Sequence, residues 1–167
     1  MSFGTKIFYI ILTSLFVIIN IGYLYIKISS YIIKKYAKKI YYDIISNYKT
    51  VGIRNTLDYI SKIDFYTFKE LILFIFKKKG YTIKINKQYY KKRNYFATVI
   101  FKKEKFLLYG KNGIVSKYDI NSFSTECRNK QMKGFFISID CIDPTLKEKS
   151  ENVIFLENGY FLNFIKK

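Results

Sequence analysis

The chain opens on an uninterrupted apolar run, Ile7–Ile26. At about 1.5 Å rise per residue, this run covers the roughly 30 Å hydrocarbon core of a bilayer. It is too long for the apolar region of a signal peptide, and no small-x-small cleavage site follows it, so it reads as an uncleaved anchor. Tyr23 and Tyr25 suit an interfacial belt, while Asn20 and Gly22 are mild blemishes. The next stretch, Lys27–Tyr48, keeps apolar residues at helical spacing but sets lysines between them. It reads as a helical stalk whose lysines lie over anionic headgroups. In Thr50–Lys62, Gly52 and the Asn55-Thr56 pair interrupt the pattern, and a short helix follows. No flexible linker appears, so anchor and domain are closely coupled.

From Asp64 the pattern changes. Phe65, Phe68, Leu71, Ile72, Ile75 and Phe76 form a helix-period stripe over Phe65–Lys79, and Gly80 is placed to stop it. Tyr81–Asn86 alternates as a strand, and Lys87–Asn94 is a polar, basic turn. Tyr95–Phe101 and Lys105–Tyr109 are β-branched and aromatic runs joined by a charged turn at Lys102–Glu104, and Gly110-Lys111 puts a lysine at the mouth of the second strand. A helix is expected over Asp119–Gln131, with Ile120, Phe123 and Cys127 on its apolar face and Gly134 as its stop. Phe135–Ile139 and Val153–Leu156 read as strands. A short helix between them starts at Asp143-Pro144, with Asp143 as N-cap. Asn158-Gly159 turns into a terminal helix, Tyr160–Ile165. The order predicts an α/β domain with helices flanking one mixed sheet. Three parts follow: residues 1–26 as anchor, 27–63 as stalk and 64–167 as domain.

Charge adds orientation and partners. Only Lys6 and the amino terminus precede the apolar run, whereas Lys27, Lys34, Lys35, Lys38 and Lys39 follow it. The positive-inside rule then puts the N-terminus outside and the C-terminal domain in the cytoplasm. The net charge is +18, from 30 Lys and Arg against 12 Asp and Glu. Such an excess favours phosphate-rich partners, nucleic acid or an anionic membrane face. The lysine-rich usage of an AT-rich genome is the other source of this excess. There is no histidine, which argues against a zinc site and against Ser-His or Cys-His nucleophiles. Cys127 and Cys141 lack metal-type spacing and read as free thiols, with a disulfide as the other reading. Lys87, Lys91, Lys92 and Arg93, interleaved with Tyr89 and Tyr90, form the densest basic-aromatic cluster of the domain. Such clusters pair phosphate contacts with surfaces for base packing; a solvated hairpin tip is the bland alternative.

Three blocks carry a resemblance: F-K-E-L-I to K-K-K-G-Y (Phe68 to Tyr81), K-G-F-F-I-S (Lys133 to Ser138), and P-T-L-K-E-K-S with V-I-F-L-E-N-G-Y-F-L (Pro144 to Leu162). In this order they resemble the Mrr-type restriction endonuclease domain, a branch of the restriction-endonuclease-like nuclease fold. The likeness runs from about Asp64 to the C-terminus. It implies a domain that binds DNA, often works as a homodimer, and cuts phosphodiesters with Mg²⁺ held by an acid on the second strand and an acid or Gln two residues before a lysine on the third. Lys111 matches that lysine. Tyr109 stands two residues before it, Phe96 and Ala97 stand where the acid should fall, and Lys69 stands where many members have Glu, with Glu70 one step on. Mg²⁺ needs hard oxygen donors, and these positions supply none. The resemblance therefore implies a DNA-binding domain whose cleavage is lost, with Lys111 as a vestige of catalysis and no cofactor; Mg²⁺ enters only if cleavage survives. The rival reading is a non-catalytic interaction module of a membrane-associated assembly, its basic surface meeting headgroups or an acidic partner.

Overall fold

The structure, a computed structural model, describes residues 3–86 and 95–166. The first element is a long helix, α1 (Phe3–Ser61), broken at Gly52, whose φ of 79° and ψ of 168° leave the helical region. Glycine alone adopts this conformation cheaply, so Gly52 acts as the hinge point that the sequence pattern marked. Tyr59 lies close beside Tyr36. On one straight helix they would lie about 35 Å apart, so the segment after Gly52 folds back along α1. The apolar N-terminal part is long and apolar enough to cross a membrane, and no part of the domain covers it.

The domain is mixed α/β. Helix α2 (Phe65–Lys78) begins on the Asp64 side chain, which accepts hydrogen bonds from the backbone N–H groups of Tyr66 and Thr67. It ends before Gly80, whose φ is 83°. Strands β1 (Thr82–Ile85), β2 (Ala97–Phe101) and β3 (Glu104–Lys111) form an antiparallel meander. Helix α3 (Lys117–Asn129) crosses to β4 (Lys133–Ser138), which pairs parallel with β3. A short helix, α4 (Pro144–Glu148), crosses to β5 (Val153–Glu157), parallel to β4. Helix α5 (Asn158–Lys166) closes the chain. The sheet order is β1-β2-β3-β4-β5.

Helices α2 and α5 cover one face of the sheet. Phe68 and Phe76 of α2 meet Phe161 and Phe164 of α5 at ring-centroid distances of 6.2 and 5.1 Å. Gly110 faces α2 so closely that a Cβ there would stand 2.5 Å from Ile72 Cδ1. Helix α3 covers the other face with Ile120, Phe123 and Cys127, the apolar positions expected of it.

Three expectations need correction. Gly134 does not stop α3: it lies inside β4, beneath α3, where a Cβ would stand 2.5 Å from Phe123 Cζ and 2.6 Å from Cys127 Sγ. The reversal falls instead at Gln131, with φ 51°. Helix α3 starts two residues before Asp119, because Ser116 is its N-cap and Asp119 completes a capping box. Glu104 is already in β3, leaving a two-residue turn of Lys102 and Lys103, both left-handed at φ 47° and 72°. That geometry matches the right-handed strand twist, although Asn-Gly is the usual occupant.

The later part of the basic stretch, residues 37–44, packs one face into the core. Ala37, Ile40, Tyr41 and Ile44 of α1 are buried in one cluster with Ile60 and the apolar face of α2. Tyr41 packs edge-on to Phe74 at 5.1 Å. Lys34, Lys35, Lys38 and Lys39 all lie on the exposed side of this segment.

Candidate functional site

The candidate site lies at the end of the sheet where the three parallel strands β3, β4 and β5 finish. In open α/β sheets the crevice beyond the carboxyl ends of parallel strands is the usual ligand position. Register places Lys111 beside Ser138, and Ser138 beside Glu157, so the last residues of the three strands form a row on one face. Each polar group of this row is engaged within the protein.

Lys111 Nζ lies 2.6 Å from Asp119 Oδ2. The same oxygen accepts hydrogen bonds from the Ser116 backbone N–H at 2.8 Å and the Ser116 hydroxyl at 2.6 Å. Burial raises the Asp119 pKa, but the hydrogen bonds and charge of Lys111 and Ser116 outweigh it, and the net shift is downward. The lysine at the mouth of β3 is thus tied to the first turn of α3. Its neighbour Asn112 donates a 2.5 Å hydrogen bond to the Ile63 carbonyl, which links the same loop to the end of α1.

Ser138 is fully buried, and its Oγ accepts from the Asp140 N–H at 3.1 Å. Glu157 is buried too. One oxygen accepts from the Ile142 N–H at 2.6 Å, and the other pairs with Lys147. Sequence reading did not align Ser138 and Glu157 with Lys111 in one row. Their only sequence signal is a polar residue closing an apolar strand, and the parallel register that aligns them is a tertiary fact.

The positions expected to carry a metal cage carry rings. Phe96 and Ala97 are buried at the start of β2, and Tyr109 is nearly so on β3. Tyr109 lies 6.3 Å from Phe96, 5.7 Å from Phe123 and 5.2 Å from Phe136, centroid to centroid, and Phe136 continues to Phe155 at 5.8 Å. Such pairs favour a dry, packed layer. Glu104 is at the far end of β3, about 23 Å from Lys111 by strand rise. Lys69 and Glu70 stand next to each other on α2, 3.8 Å apart. Among the described residues no three His, Cys, Asp or Glu side chains are grouped to hold a metal ion. Asp119, the one carboxylate beside Lys111 in these contacts, has an oxygen already taken by three donors. These residues do not fit a Mg²⁺ site.

Lys87, Tyr89, Tyr90, Lys91, Lys92 and Arg93 lie outside the described residues. The flanking residues Asn86 and Tyr95 lie at the same sheet end as Lys111, and Asn86 Nδ2 donates to the Tyr95 carbonyl at 3.0 Å. That end also presents Ile114, Tyr118 and Tyr160, exposed at 86%, 79% and 73%. Lys117 is exposed beside Tyr118, and Asp140 is exposed between β4 and α4. Cys127 and Cys141 are free thiols, the first buried and the second exposed. Burial pushes the Cys127 thiol up to about 12, which makes it inert.

No family model matches the chain, and neither a curated protein nor a solved structure is found to resemble it.

Proposed function

We propose that this chain is a membrane-anchored, cytoplasm-facing domain of the Mrr-like restriction-endonuclease type, which binds DNA and no longer cuts it. The observation that carries the reading is the sheet end around Lys111. A lysine stands at the expected strand end of a helix–meander–helix–strand order, but Phe96, Ala97 and Tyr109 occupy the ligand positions and Lys111 is paired with Asp119. Cleavage needs two hard oxygen ligands beside that lysine, and their replacement by packed rings supports loss of the reaction.

Support for DNA binding comes from the surface around that end. Exposed Tyr118 and Tyr160 offer faces for stacking, Lys117 offers a phosphate contact, and the basic-aromatic sequence of residues 87–93 is flanked by Asn86 and Tyr95 at the same sheet end. The apolar run of α1 supports attachment to the bilayer, and the lysines after it support a cytoplasmic domain. The second reading is an interaction module whose basic surface meets lipid headgroups or an acidic partner. The exposed lysines of the α1 segment packed on α2 favour it, since they sit close behind the apolar run.

The readings separate in one titration. The full chain, in discs of zwitterionic lipid, is titrated with a fluorescent duplex from low to high salt. DNA binding predicts that log affinity falls linearly with log salt, with a slope set by the phosphates contacted. No binding at low salt sinks the DNA reading and leaves the interaction module.

A further inference from the structure

The apolar run of α1 carries three small polar side chains, Thr13, Ser14 and Asn20. Asn20 and Thr13 are seven residues apart, so they share a helix face, with Val17 and Leu24 beside Asn20. Thr13 is satisfied by its own helix: its hydroxyl donates to the carbonyls of Tyr9 and Ile10 at 2.9 and 3.0 Å. Asn20 is satisfied in part. Its Nδ2 donates to the Phe16 carbonyl at 2.7 Å, while its Oδ1 has no partner among the described residues. In water that oxygen would be solvated. In hydrocarbon it needs a donor from another helix. The domain supplies none, because the residues that pack α1 against α2, from Ala37 to Ile44, face roughly a third of a turn away from Asn20.

We infer that α1 pairs with α1 of a second copy of this chain, in parallel, through the face that carries Thr13, Val17, Asn20 and Leu24. This rests on the reading that α1 spans a bilayer. The occupant follows from depth. Every copy inserts in the same sense, so a two-fold axis along the bilayer normal sets Asn20 opposite Asn20 at one level. Each carboxamide then offers the donor that the other lacks, whereas a different protein would need an amide or hydroxyl at that same depth. Lys27 lies on the same face one heptad beyond Asn20, and its Nζ sits 4.7 Å from the Tyr23 ring centroid of its own helix. Two facing lysines repel, so the pairing is confined to the span and the helices part at the membrane surface.

The test uses the full chain in native membranes with Cys141→Ser; buried Cys127 remains. Single cysteines are placed at Val17 or Leu24 on the Asn20 face, or at Ile11 or Ile18 on the opposite face, and membrane-permeant oxidant is added. Disulfide-linked dimer is expected from the first pair and little from the second. Asn20→Leu should cut the linked fraction about threefold to tenfold, and Asn20→Gln, which keeps the amide, should preserve it. Equal linking from both faces, no linking, or indifference to Asn20→Leu overturns the inference. Alkaline carbonate extraction of the same samples separates the two possible failures. If the chain is extracted, the spanning reading fails and the inference with it; if it stays in the membrane without face dependence, the inference alone fails.

Discussion

Lys111 was the residue with the clearest chemical promise, and its promise depended on neighbours it does not have. In the structure it caps a network: Lys111, Ser116 and Asp119 tie the end of β3 to the start of α3. Asp119 is the centre of that network, and its carboxylate is needed in the charged form. Its folded-state pKa is lowered below the unfolded value of about 3.9, so its stabilisation is complete above that pH and is lost as pH falls through the folded value. Replacing Asp119 by Ala removes a capping box and strands the Lys111 ammonium, which should cost about 1–2 kcal/mol at neutral pH. Asp119→Asn should also lower stability at neutral pH and flatten the acid limb of the curve below about pH 4. Denaturant melts across pH check both. If Asp119→Asn leaves the acid limb unchanged, the carboxylate is not what this network depends on.

At the scale of elements, local chemistry was legible and tertiary reasons were not. Helix α2 could be read because Asp64, the Phe68–Phe76 stripe and Gly80 agree on its start, face and end. The hairpin could be read from its β-branched and aromatic runs. Gly134 could not: a glycine after a helical pattern looks like a stop, and only the packing shows that Phe123 and Cys127 lie where its side chain would be. The turn after β2 could be placed but not its geometry, since Lys102 and Lys103 both take the left-handed conformation that L-residues adopt at about 1–2 kcal/mol each. Lys103→Gly should therefore stabilise the protein by about 0.5–1 kcal/mol, the relief of strain being partly offset by the entropy of glycine. A rise in the denaturation midpoint at unchanged slope is the expected sign. A loss of stability would mean that the Lys103 side chain contributes more than its backbone costs.

For the molecule as a whole, the sequence separates anchor, basic stalk and domain, while the structure runs one core through the last two. Lysines between apolar residues read as a stalk because sequence shows the charged face and not what the apolar face meets. Ala37, Ile40, Tyr41 and Ile44 meet α2. Ile40→Ala should destabilise the domain by about 2–4 kcal/mol, the usual cost of emptying a core site, measured by denaturation of the full chain in detergent. A cost under about 0.5 kcal/mol would return this segment to the role of a stalk. The candidate site was half legible: the lysine and the missing acids could be read, but the aligned strand ends required the parallel register. The central claim joins these scales, a DNA-binding domain at the membrane with its cleavage lost. Its most direct test is one agarose gel, with supercoiled plasmid incubated with the full chain in neutral-lipid discs and Mg²⁺ at low salt. The account predicts a retarded plasmid that returns fully supercoiled after the protein is stripped. Unretarded plasmid, or nicking that disappears with Lys111→Ala, would contradict it.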